Sequence, residues 1–204
     1  MNITQTFYNN LATKYDKLFL DWQGTTREQG EILDKIFKSN GFDHTAKVLD
    51  CACGIGTQAI GIAALGYNVI ASDISDGELV EAEKRAKDNN VKICFKHADF
   101  CALSDTFAEK FDIVIAMDNA LPHMLSSSDL ESAIKSIANQ IEKNGIFVAS
   151  IRDYDSLLME KPHTHHHTYI KRIKDRGCHS KHGYGMMIII NSRSILLMMR
   201  KHYK

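Results

Sequence analysis

Tyr8, Leu11, Tyr15, Leu18 and Phe19 recur at three- and four-residue spacing through "TQTFYNNLATKYDKLFL", which predicts a helix over residues 4–20. A second amphipathic segment runs from about Thr25 to Phe37. It ends in Ser39-Asn40-Gly41, where Asn or Gly takes the left-handed helix cap. From there, short apolar runs alternate with helical periods. "KVLDCA", "NVIASD", "KICFKHAD", "FDIVIAMD" and "IFVASIRD" predict five strands. Helices are predicted between them at Thr57–Leu65, closed by Gly66, at about Gly77–Asn89, and across "SDLESAIKSIANQIEK". The last has Asp129 near its cap and Asn144-Gly145 as its stop. Apolar strands separated by amphipathic helices predict an α/β fold, a doubly wound parallel sheet covered on both faces. Ligands of such sheets bind beyond the carboxyl ends of the strands, near the switch in strand order. Strand-end residues are therefore the candidates for function.

Composition narrows this picture. A chain of 204 residues, 44% hydrophobic and 25% charged, can bury a sizeable core and predicts one domain with a small appendage. No apolar stretch approaches the ~20 residues of a membrane span. No basic start followed by an apolar run reads as a signal peptide, so the expectation is a cytoplasmic protein that engages no membrane. The cysteines are Cys51, Cys53, Cys94, Cys101 and Cys178. Their odd number, and the closeness of Cys51 to Cys53, predict reduced thiols rather than a disulfide framework. C-x-C at a strand end without a second pair at zinc spacing predicts no metal site.

The stretch "VLDCACGIGTQAI" carries Gly54, Gly56 and Ala59 as G-x-G-x-x-A, the pattern of a dinucleotide-binding turn. Its neighbours alter that reading. Asp50 ends the first strand four residues before Gly54. A pyrophosphate in the turn would be repelled by this carboxylate, whereas a ligand carrying an ammonium and a sulfonium would be attracted. At ~4 Å and an effective dielectric near 20, such a pair is worth roughly 4 kcal/mol before desolvation. Asp50 thus favours S-adenosylmethionine over NAD. Asp73, nineteen residues after Gly54, ends the second strand, where an acid accepts hydrogen bonds from ribose hydroxyls. Its competing reading is the N-cap of the following helix. In "HADF", Asp99 is placed to accept from an adenine amino group and Phe100 to pack on the base. A solvated loop carboxylate is the alternative for Asp99.

In combination, "VLDCACGIGTQ", "SDIS", "HADF" and "MDNALPHM" resemble successive motifs of class I S-adenosylmethionine-dependent methyltransferases, across about residues 46–153. Within that superfamily the chain looks similar to glycine and sarcosine N-methyltransferase-like proteins. "FYNNLATKYDKLFLDWQGTTREQ", "DNALPHM" and "IRDYDSLL" carry this narrower likeness. The resemblance implies a Rossmann-like core over residues 41–160 and lid helices over 1–40. It implies that Trp22 and Arg27 meet the methionine end of the cofactor, with Met117 at the methyl group. Asn119, His123 and Arg152 would line the site of a small-molecule amine. Core or lid packing is an equal reading for Tyr8 and Tyr15. Arg27 as helix decoration, His123 in a structural hydrogen bond and Arg152 in a salt bridge with Asp153 or Asp155 are the competing readings. The implied chemistry is in-line displacement at a sulfonium methyl, which needs alignment and no single catalytic residue. Nucleoside binding without chemistry, by an inactive relative, is the alternative. No nucleic-acid partner is expected, and nothing in the sequence indicates an oligomeric state.

The zero net charge hides a division. Residues 1–160 hold 15 basic and 24 acidic residues; residues 161–204 hold 10 and 1, with seven of the ten histidines. The resemblance implies two further strands, the last antiparallel, where this atypical basic tail stands. Three readings of the tail remain open. It is a basic arm for a nucleic acid or membrane, or "HTHHH" is a metal tract, or the segment is translated out of frame. A one-base shift would turn Met186, Met187 and Met198 into aspartates and give alternating strand character with acidic turns. On that reading the C-terminal strands are missing or altered.

Overall fold

The computed structural model describes residues 3–152, 185–191 and 194–200 of the chain. Five parallel strands, β1 (Lys47–Asp50), β2 (Asn68–Asp73), β3 (Cys94–His97), β4 (Phe111–Ala116) and β5 (Ile141–Arg152), lie in the order β3-β2-β1-β4-β5. The predicted parallel sheet is present, and its order reverses between β1 and β4. Alternate strand residues feed two cores. Val48, Ile113, Ile115 and Val148 pack with Leu33 and Phe37 on one face. Leu49, Val114, Phe147 and Ala149 pack with Leu103 and Ile137 on the other. Both faces are apolar because both are covered, as parallel strands require.

The helices are α1 (Ile3–Leu11), α2 (Trp22–Ser39), α3 (Thr57–Ala64), α4 (Asp76–Asp88) and α5 (Ser127–Asn139). Leu33 and Phe37 place α2 in the core. A Cβ on Gly30 would come within 2.7 Å of the Gly61 backbone, so α2 and α3 touch nearly backbone to backbone. α1 lies at the strand ends, where Gln5 reaches Ile74 after β2 and Tyr8 reaches His123 after β4.

Two predicted elements differ. The single helix expected over 4–20 stops at Leu11 and tightens into a 3-10 helix over Ala12–Leu18. Asp21 then starts α2 three residues earlier than predicted, its carboxylate accepting from the Gly24 amide at 2.9 Å. The helix expected through Lys143 ends at Asn139, and Ser126 caps its start by accepting from the Asp129 amide. Ile134, Ile137 and Ile141 keep helical spacing, but Ile141 is claimed by the sheet, where it pairs with Phe111. The register then jumps to Ile113 opposite Ile146, which absorbs Glu142–Gly145.

Beyond β5 the sheet continues. β6 (Gly185–Asn191) runs antiparallel to β5, and β7 (Ser194–Arg200) antiparallel to β6. The outer strands are present, with a changed order: the antiparallel one is the first, and the last runs parallel to β1–β5 at the edge. The histidine tract, Cys178, Asp153 and Asp155 lie outside the described residues. No described helix is long and apolar enough to cross a membrane.

Candidate functional site

β1 delivers Asp50 to the point where strand order reverses. Its side chain is fully buried. Oδ1 accepts a 3.4 Å hydrogen bond from the Ala52 amide, and Oδ2 has no partner among the described residues. Burial, reinforced by the nearby charges of Asp73 and Asp118, pushes its pKa up to about 8. The chain then turns at Gly54 (φ 51°) and Gly56 (φ 86°), left-handed positions that glycine takes without a Cβ clash. α3 begins directly after, so the amides of its first turn lie at the same turn, that of Ala59 beside the Asp50 carboxyl.

Asp73 ends β2 and is nine-tenths buried. Its Oδ2 accepts from the Gly54 amide at 2.8 Å and its Oδ1 from the Ser75 amide at 2.9 Å. Asp73 is not the helix cap: Ser75 caps α4 through its hydroxyl. Each carboxylate oxygen retains capacity for a further donor. Glu78, in the first turn of α4, is buried with its carboxyl facing Gly54.

α1 docks across this region. Gln5 donates to the Ile74 carbonyl at 2.9 Å, and the Asn9 side-chain oxygen accepts from the Ser75 hydroxyl and the Gly77 amide. From the same helix, the Tyr8 hydroxyl lies 2.8 Å from His123 Nε2. Tyr15, in the 3-10 helix, is influenced by Glu78 on one side and by Asp118 and Arg152 on the other; burial is the main cause raising its phenol. α1 and the 3-10 helix thus bridge the β2 end and the β4 end.

The turn after β4 is held in an unusual shape. Asp118 (φ 49°) and Asn119 (φ 73°) are consecutive left-handed residues, neither a glycine. Ser150 fixes both, its hydroxyl accepting from the Asp118 amide and its carbonyl from the Asn119 amide. Gln58 donates to Asp118 Oδ2 at 2.8 Å and also to Gln29. The Asn119 side chain accepts from the Arg152 amide at 3.2 Å, tying β4 to β5. Such backbone persists only where neighbours over-determine it, and it concentrates at functional sites. Burial, and then the charge of Arg152, lowers the pKa of His123, which stays neutral near pH 7.

The structure therefore gathers Asp50, Gly54, Gly56 and Asp73 at the β1–β2 ends, and Met117, Asn119, His123 and Arg152 at the β4–β5 ends. Others stand apart. Trp22 is buried with Ile55, Ile60 and Ala86; it donates to the Thr57 hydroxyl at 3.0 Å and lies under the Arg85 guanidinium. Arg27 is exposed on α2, off the buried stripe formed by Thr26, Gly30 and Leu33. Asp99 is exposed and accepts from the Cys101 amide at 2.8 Å, closing a turn; Phe100 is half-buried against the second core. Cys51 and Cys53 are buried thiols, both pushed well up by burial. Among the described residues no three metal-ligating side chains gather.

A family model described as a methyltransferase domain matches residues 48–145, from β1 into β5. Glycine/sarcosine N-methyltransferase from Aphanothece halophytica is 27% identical over 163 residues, covering 80% of this chain and 60% of that protein. Glycine N-methyltransferase from Rattus norvegicus is 30% identical over 168 residues, covering 76% and 56%. The structure superposes on magnesium protoporphyrin IX methyltransferase from Synechocystis PCC 6803, solved with bound SAH. The TM-score is 0.66 at 18% identity, covering 92% of this chain and 97% of that one. Residues 48–145 thus match a methyltransferase domain, and the chain is similar to class I S-adenosylmethionine-dependent methyltransferases. It spans between about half and three fifths of the length of these glycine and sarcosine relatives.

Sequence reasoning passes over three polar residues of this candidate site. Gln58 and Asn9 look like ordinary helix positions, and only the folded chain shows that they clamp Asp118 and the β2–α4 turn. Glu78 had a signal: Ser75 and Glu78 make an S-x-x-E pattern at a helix start.

Proposed function

We propose that this chain binds S-adenosylmethionine across the ends of β1, β2 and β4 and directs methyl transfer to a small-molecule amine, glycine or sarcosine. Asp50 carries the reading. It is a fully buried carboxyl with an unpartnered oxygen at a glycine turn, which a cationic ligand satisfies and a pyrophosphate does not. Asp73 accepts from the ribose with the lone pairs that Gly54 and Ser75 leave free. Met117 lies at the β4 end. When bound, the cofactor supplies an electrophilic methyl group. The chain's own task is to align the amine with that methyl and exclude water, and such positioning is worth several kcal/mol. Asn119 and His123 line the acceptor side, and the Arg152 guanidinium pairs with an amino-acid carboxylate. The relatives named for glycine and sarcosine methylation support this acceptor class.

A second reading, nucleoside binding without methyl transfer, draws on the chain's coverage of only 53% and 60% of those relatives. Calorimetric titration with S-adenosylmethionine, and separately with NAD, tests the ligand. Saturable binding of the former alone is expected, and binding of NAD overturns the reading. Methyl transfer to glycine or sarcosine is then expected. Binding with no transfer to any small amine selects the second reading.

A further inference from the structure

We infer that Glu78 is a second nucleoside-positioning residue, donating a hydrogen bond from its carboxyl to an acceptor atom of the bound nucleoside. Ser75-Asp76-Gly77-Glu78 has the capping-box pattern, in which the glutamate side chain returns to the cap residue's amide. One half of the box forms, with the Ser75 hydroxyl accepting from the Glu78 amide at 3.2 Å. The other half does not form. The Ser75 amide is taken by Asp73 Oδ1 at 2.9 Å. Glu78 instead turns inward, with 2% of its surface exposed and Oε1 unpartnered among the described residues. Its oxygens lie 3.6 and 3.7 Å from where a Cβ on Gly54 would stand. Leaving a buried carboxyl without a partner is costly, and this one faces the turn assigned above to the nucleoside.

The two neighbouring acids divide the work. Burial raises both, but amides of Ser75, Gly54 and Ile74 counter this at Asp73. No amide does so at Glu78, where the Asp73 charge adds to burial and lifts its pKa to about 9. Asp73 is the acceptor and Glu78 holds the proton, as carboxyls in contrasting environments do. The titratable groups facing Glu78 are Asp73 from β2, Cys53 from the glycine turn and Tyr15 from the 3-10 helix, with Asp76 in its own turn. Burial keeps the Cys53 thiol and the Tyr15 phenol neutral as Glu78 titrates.

The inference rests on the nucleoside site proposed above, and the test separates the two. The probe is 5′-methylthioadenosine, which has no sulfonium and no amine that titrates between pH 6 and 10. Calorimetry at pH 7 is expected to show Glu78→Leu weakened about tenfold and Glu78→Gln, which keeps a donor, within about threefold of wild type. Wild-type affinity is expected to fall more steeply from pH 7 to pH 10 than that of Glu78→Gln. The difference is the readout, because Asp50 ionises in the same window. Glu78→Leu removes an unsatisfied buried group and is expected to melt no lower than wild type, which separates lost binding from lost folding. Equal affinity of Glu78→Leu and wild type, or identical pH profiles for wild type and Glu78→Gln, overturns the inference and leaves the nucleoside site standing. No probe binding by wild type overturns both.

Discussion

The ends of β1 and β2 and the ends of β4 and β5 build two unlike halves of one site. In the first half, glycines occupy the left-handed positions, and the side chains that matter are buried acids, Asp50, Asp73 and Glu78. In the second, Asp118 and Asn119 take left-handed backbone without being glycines. The side chains there are an amide, a neutral imidazole and a guanidinium that remains exposed. Buried acids with unspent hydrogen-bonding capacity suit a ligand that recurs unchanged, such as the proposed cationic nucleoside. A strained turn with mixed, partly open polar groups suits an acceptor that must be admitted, aligned and released. Tyr8 and Tyr15 connect the halves.

The largest separation between the halves is expected from Asp73→Ala set against Arg152→Ala. Removing Asp73 leaves the Gly54 and Ser75 amides without an acceptor. Cofactor affinity should fall about a hundredfold and stability by about 1–3 kcal/mol, read by calorimetry and thermal denaturation. Arg152→Ala should raise the acceptor KM about tenfold and leave cofactor affinity within about twofold. If both variants weaken the cofactor equally, the site is not divided as described.

Much of the first half is legible in the sequence because short-range covalent spacing fixes it. Asp50, Gly54, Gly56 and Asp73 sit at strand ends and in one turn, so alternation of strands and helices suffices to bring them together. Residues assigned by likeness to relatives were less constrained. Trp22 is spent on Thr57 and Arg85, and Arg27 points away from the α2 stripe. Helical spacing cannot reveal a 3-10 segment whose shape depends on α1 docking through Gln5 and Asn9. Nor can it show that Ile141 joins the sheet. The runs "MMIII" and "ILLMM", in the tail for which the sequence left three readings open, fall within β6 and β7. Apolar runs specify strands whatever their origin.

A smaller effect sharpens the electrostatic side of the comparison. Folded Asp50 keeps its proton up to about pH 8, whereas an unfolded aspartate loses it near pH 4. Between these values the folded state binds more protons, so unfolding free energy falls as pH rises, by at most about 1.4 kcal/mol per pH unit for one group. Glu78 acts in the same direction up to about 9. Ligand-free wild type should therefore lose stability from pH 5 to pH 8, and Asp50→Asn should lose less. A cationic ligand should ionise Asp50 and release a proton near pH 7, visible as a buffer-dependent heat of binding that Asp50→Asn reduces. Stability that is flat across this range would show that Asp50 is already charged before any ligand arrives.

The smallest effect probes the connection itself. Tyr8→Phe deletes only the hydroxyl that meets His123 at 2.8 Å, while the ring keeps its edge contact with the imidazole at 5.4 Å. The bond is partly exposed, so its loss should cost no more than about 1 kcal/mol of stability. If α1 acts through this bond, kcat for the proposed acceptor should fall about threefold to tenfold, with cofactor affinity unchanged, because His123 lies at the β4–β5 ends alone. Gln5→Ala provides the contrast, since Gln5 holds α1 to the Ile74 carbonyl on the cofactor side. That variant should weaken cofactor binding by a few fold and leave the acceptor KM near wild type. Interchanged outcomes would mean that α1 moves as one rigid piece and that the two halves are coupled through it rather than bridged by separate bonds.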